Sequence, residues 1–161
     1  MDRPLGHLVP DFQTVPEPRD LHLVGRWAEL RPLNAASDAA GLWDQIAGRD
    51  WLWDYLVEEA PQSADDFGQI LTELEAKQDK FAYVIRGKGD DAPLGYACFW
   101  TTVAAMGTNE IGNVNLSPAL QRTPVATDAF YLMNKWVFEN GYRRMEWKCN
   151  ALNAPSRRAA Q

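Results

Sequence analysis

The chain has 161 residues, 46% hydrophobic and 24% charged, with 16 Lys and Arg against 22 Asp and Glu for a formal net charge of −6. That length and apolar fraction suit one globular domain with one core. A chain without a global positive field has little means of displacing phosphate counterions, so nucleic acid is excluded as a non-specific partner and a cationic substrate is favoured.

Cys98 and Cys149 lie far apart and form no metal-type pair with His7 or His22. Neither a disulfide framework nor a metal site is expected, and reduced thiols point to the cytoplasm. The opening Met1-Asp2-Arg3-Pro4-Leu5-Gly6-His7 has no apolar run of signal-peptide length, and no window approaches the ~20 apolar residues of a membrane span. No membrane association is expected.

Residues 1–24 carry four prolines without periodicity and read as an extended N-terminal arm, leaving 25–161 as the folded domain. Trp27-Ala28-Glu29-Leu30-Arg31 alternates bulky and polar positions up to Pro32, a first strand. Ala39, Leu42, Trp43, Ile46 and Ala47 then recur at helical spacing after a cap at Asn34 or Ser37, with Gly48 as a stop. A second helix starts at Ser63, with Asp66 three residues on, and buries Phe67, Ile70, Leu71 and Leu74. The aromatic loop Trp51-Leu52-Trp53-Asp54-Tyr55 lies between the two.

Phe81–Arg86 and Leu94–Val103, joined by a polar turn, read as a hairpin that Glu110–Leu116 extends, with Gly112 a candidate bulge. A long helix from Pro124 to about Asn140 buries Ala129, Leu132, Met133, Trp136 and Val137, and Gly141 ends it. Arg144–Asn150 alternates again, with Met145, Trp147 and Cys149 on an apolar face, which makes Cys149 an expected core thiol. Strand, helix and strand in this order predict a parallel crossover in an α/β chain with a mixed sheet.

Two segments carry a resemblance. Leu116-Ser117-Pro118-Ala119-Leu120-Gln121-Arg122-Thr123-Pro124-Val125-Ala126-Thr127 joins the third meander strand to the long helix, and Asn153-Ala154-Pro155-Ser156-Arg157-Arg158 follows the fifth strand. In this order of elements the chain resembles the GNAT superfamily of acetyl-CoA-dependent N-acetyltransferases. The first segment stands at that family's pyrophosphate loop and the second at its Asn-x-x-Ser segment. Pro124 and Ala126 replace glycines of the usual Gln/Arg-x-x-Gly-x-Gly/Ala pattern, and the variant, with Trp53-Asp54-Tyr55-Leu56 and Tyr142–Cys149, is similar to the branch that acetylates N-termini of ribosomal proteins. The family continues beyond the Asn-x-x-Ser helix through two further strands, so the resemblance implies that the C-terminal part of the domain is missing here. A fifth strand left open would be an association-prone edge, the expected route to a homodimer.

The resemblance implies acetyl-CoA as co-substrate, bound by Gln121, Arg122, Thr123, Val125, Ala126, Thr127, Asn153, Arg157 and Arg158. A helix N-terminus with unpaired N–H groups and a positive dipole end suits a diphosphate, and Arg122 adds a charge-assisted contact. It implies Glu110 as general base and Ser156 as donor to the leaving sulfur. Trp51, Trp53 and Tyr55 would line the acceptor pocket. Each has a plainer alternative: Glu110 as a solvated strand-end carboxylate, Asn153 and Ser156 as a helix cap, the arginines as solvated surface, and the aromatics as core. The implied acceptor is the N-terminal Ser or Ala of a protein such as a ribosomal protein. A small amine remains an alternative, as does a catalytically silent acyl-CoA-binding module.

Overall fold

A computed structural model of the chain describes residues 6–161, so the first five residues of the expected arm lie outside the described residues. Six strands form one sheet in the order of the chain: β1 (Leu23–Val24), β2 (Ala28–Pro32), β3 (Phe81–Gly87), β4 (Pro93–Val103), β5 (Thr108–Leu116) and β6 (Arg144–Trp147). The first five pair antiparallel, and β6 joins β5 in parallel. The crossover helix α3 (Pro124–Glu139) links those last two strands, as the alternation before and after it implies. Helices α1 (Ala35–Ile46) and α2 (Ala64–Glu75) precede the meander, and α4 (Ala154–Ala159) closes the described chain. Among the described residues no helix is long and apolar enough to cross a membrane.

The period-two pattern of the strands divides the core in two. On one face Leu30, Tyr83, Ile85, Phe99 and Ile111 pack under Ala129, Met133 and Val137 of α3. On the other, Val84, Tyr96 and Cys98 pack under Leu42 and Ile46 of α1 and Phe67 and Leu71 of α2. Burial in that second core drives the Cys98 thiol pKa upward. Both helices of this layer start on side-chain caps: Asn34 accepts from the Ser37 N–H and Ser63 from the Asp66 N–H. Asp38 is buried on α1 and takes both Arg31 Nη atoms, at 2.8 and 2.5 Å, together with the Asn34 N–H at 2.9 Å.

The bulge expected at Gly112 falls just after it. Gly112 pairs with Cys98 and Asn115 with Tyr96, so Asn113 and Val114 oppose Ala97 alone, and Asn113 adopts a φ of 44°. Gly112 serves packing instead: a Cβ there would lie 2.8 Å from the Cβ of Trp100. At the end of α3, Gly141 takes a φ of 85° that an L side chain rarely adopts.

The arm is tied down by side chains far along the chain. Tyr83 Oη donates to the Pro18 carbonyl at 2.6 Å and accepts from the Leu21 N–H at 3.0 Å. Tyr142 Oη donates to the Pro16 carbonyl at 2.7 Å, and Val15 is buried. The short strand β1 was invisible to periodicity because two residues carry none. With β1 added, the strand expected over Arg144–Asn150 is β6, and two expectations for it are corrected. It ends at Trp147 rather than Asn150, and Cys149 is exposed, because the chain has already left the sheet at that point and no apolar face continues there.

Candidate active site

The early end of β6 opens the sheet. The last parallel pair is Ile111 with Trp147, yet β5 continues to Leu116, so among the described residues the segment from Gly112 onward has no strand beside it on that edge. The opened edge leads into the loop 117–123, which is stiffened from within. The buried Ser117 Oγ accepts from the Leu120 N–H, Gln121 Nε2 donates to the Leu116 carbonyl at 2.9 Å, and Thr123 Oγ1 donates to the Leu120 carbonyl at 2.7 Å. The Gln121 amide therefore builds the loop instead of reaching out of it.

Thr123 caps α3, its Oγ1 accepting the Ala126 N–H at 3.2 Å, and Pro124 supplies no N–H. The backbone N–H groups of Arg122, Thr123 and Val125 find no acceptor among the described residues. Three unpaired donors at the positive end of a helix of 16 residues fit a diphosphate. Arg122, exposed beside them at a φ of 59°, adds the charge. Thr127 is exposed one turn on, Val125 is half-buried, and Ala126 is buried against the core with its N–H already used.

On the far side of the opening, Asn153 Oδ1 caps α4 by accepting the Ser156 N–H at 3.0 Å. Ser156 Oγ accepts from Trp147 Nε1–H at 2.9 Å. The hydroxyl accepts one bond from the indole and has its own proton left to donate. Arg157 is exposed and turns back to the Ala151 carbonyl at 3.3 Å, while Arg158 is exposed.

Glu110 projects to the face opposite Ile111, the α1 and α2 side of the sheet, just before the strands part. It is buried and stands in register with Glu146 on β6. Lys148 Nζ lies 2.5 Å from Glu110 and 2.8 Å from Glu146, and Arg144 Nε lies 2.8 Å from the other Glu146 oxygen. The hydrogen bonds that Lys148 donates to Glu110 and then to Glu146 raise the Lys148 pKa, and the bond from Lys148 is the main cause lowering that of Glu146. Sequence reasoning missed Glu146 and Lys148. The alternation of β6 placed both on the polar face, but only the parallel register brings that face beside Glu110.

The aromatic loop divides. Trp53 is buried edge-on against Phe67 and belongs to the core under α2, not to the rim of an acceptor pocket. Trp51 and Tyr55 stay exposed, and Tyr55 Oη donates to the Leu152 carbonyl at 3.4 Å, which ties this loop to the segment leaving β6.

Residues 28–161 match the family model described as an acetyltransferase (GNAT) domain. A probable GNAT-family acetyltransferase of Chromobacterium violaceum is 36% identical over 99% of this chain and 81% of its own, with a TM-score of 0.91. A GCN5-related N-acetyltransferase of Brucella melitensis is 29% identical over 94% of this chain and 70% of its own, with a TM-score of 0.87. At 18% identity the likeness is one of fold alone to the Salmonella typhimurium acetyl transferase that modifies the N-terminal serine of ribosomal protein L7/L12, covering 84% of this chain and 78% of that one with a TM-score of 0.69. The comparison with curated proteins gives no match. The mixed sheet, its parting strands and the matched domain together make this chain a member of the GNAT acetyltransferase family, whose enzymes use acetyl-CoA.

Proposed function

We propose that the chain transfers an acetyl group to the N-terminal amine of a protein beginning with Ser or Ala, of the kind the Salmonella structure modifies on a ribosomal protein. One observation carries the reading: the opened edge of β5 lies between a helix N-terminus with unpaired donors and a buried carboxylate on the opposite sheet face. Acetyl-CoA, when bound, supplies an activated acyl thioester and a good thiolate leaving group. Arg122 and the N–H groups of Arg122, Thr123 and Val125 hold the diphosphate, with Thr127, Arg157 and Arg158 around it. Glu110 binds the acceptor ammonium and takes its proton. Ser156, oriented by the Trp147 indole, donates to the sulfur as charge develops there. Trp51 and Tyr55 form the rim that a peptide chain leaving the amine would cross. Asn153 shapes this wall through the α4 cap.

Calorimetric titration with acetyl-CoA tests the donor site. Arg122→Glu should weaken binding about tenfold or more, since a hydrogen bond to a charged group contributes about 1.5–3 kcal/mol. An acceptor screen with Ser- and Ala-initiated peptides, their N-capped forms and small polyamines then tests the chemistry, with Glu110→Gln expected to slow transfer about 10²–10⁴-fold. Folded protein that binds no acetyl-CoA, or transfer insensitive to Glu110→Gln, would refute the assignment.

A further inference from the structure

The amine nearest the proposed base is the protein's own. Lys148 is the first residue beyond the last pair of β5 and β6, and its ammonium sits 2.5 Å from Glu110 Oε2 and 2.8 Å from Glu146 Oε2. The carboxylates are sheltered, with side chains 9% and 24% exposed, whereas the lysine side chain is 62% exposed. Lys148 thus closes the pair from the solvent side. Arg144 holds Glu146 through Oε1 and leaves the oxygens that face Lys148 untouched.

We propose that Lys148 occupies the seat of the acceptor ammonium, and that an incoming primary ammonium enters by displacing it from Glu110 and Glu146. This rests on the reading of Glu110 as the base. A lysine ammonium presents the charge and the three N–H donors of an alkylammonium or a protein N-terminus, so whatever satisfies Lys148 satisfies the acceptor. Displacement is easy, because the 62% exposed lysine regains water when it leaves, and solvent reaching that side of the pairs weakens them. It is also selective: a neutral group entering the seat would leave the buried Glu110 facing Glu146 with only Arg144 to offset the two carboxylates. The apparent affinity for an acceptor equals its intrinsic affinity scaled by the fraction of time the seat is open, so Lys148 sets a threshold that only primary cations pass.

The test is an NMR titration of the full chain, without any acyl donor, following the backbone amides of Glu110, Glu146 and Lys148. Propylammonium is the probe, and tetramethylammonium is the control with equal charge and no N–H donor. Lys148→Met keeps the aliphatic stem and should bind propylammonium about three- to tenfold more tightly than the wild type, the range two ion pairs open to solvent at the lysine end can supply. Lys148→Arg should stay near the wild type, Glu146→Gln should bind more weakly, and tetramethylammonium should gain little. Unchanged, weaker or absent binding of propylammonium to Lys148→Met overturns the inference, and so does an equal gain for tetramethylammonium, which would mean a general field effect. Because no acetyl transfer is involved, either result is separable from failure of the proposed activity.

Discussion

Pro124 stands first in α3, where it withholds an N–H from a cluster of otherwise unpaired donors. Replacing it with Ala should improve the donor site. Pro124 is exposed, and its Thr123 cap bonds to Ala126, not to Pro124 itself, so the helix start survives the change. The cost runs through the unfolded chain, which regains backbone freedom, about 0.4–1 kcal/mol. For a domain of this size that lowers Tm by about 2–4 °C per kcal/mol. The gain is one further N–H aimed past the helix end, and a hydrogen bond to a charged group contributes up to about 1.5–3 kcal/mol. Part of that is lost to imperfect aim, which leaves about a tenfold tighter Kd, or 1.36 kcal/mol. Calorimetric titration with CoA beside a thermal melt measures both quantities. A variant that melts a few degrees lower and binds CoA no better than the wild type would refute the account of the loop as an amide-lined anion site.

Asp38→Ala should destabilise the fold by about 3 kcal/mol in a urea titration, because it strands the Arg31 guanidinium and the Asn34 N–H in a sheltered place; a loss below 1 kcal/mol would contradict that. Gly112→Ala should cost about 1–3 kcal/mol by forcing a methyl against Trp100, and an unchanged melt would show that the strand shifts freely. Burial raises the Tyr83 and Tyr142 phenols to about 12. A raised folded-state pKa means that the stability these groups lend is full below their ordinary value of about 10 and is lost as pH climbs through about 12. The arm they bind should therefore loosen across that window, and the difference absorbance between wild type and Tyr83→Phe should place one phenolate near pH 12; ionisation near pH 10 would argue that Tyr83 does not hold Pro18 and Leu21.

The helices were legible in the chain alone because their information is local. Apolar residues at helical spacing, Asn34 or Ser37 and Ser63 as starts, Pro124 in a first turn and Gly141 as a stop mark these helices whatever lies around them. Alternation likewise marked the meander and β6, and the order of elements carried the family. Pairing information is non-local, and there the sequence runs out. Alternation through Cys149 could not say that β6 would part from β5 after Trp147, nor that Gly112 would answer to Trp100 while Asn113 bulged beside it. Trp51, Trp53 and Tyr55 look alike in a row of aromatics, and only packing against Phe67 sends Trp53 inward. Glu146 and Lys148 join the candidate site because a parallel register aligns them with Glu110 from a strand more than thirty positions away, a relation set by which strands share hydrogen bonds.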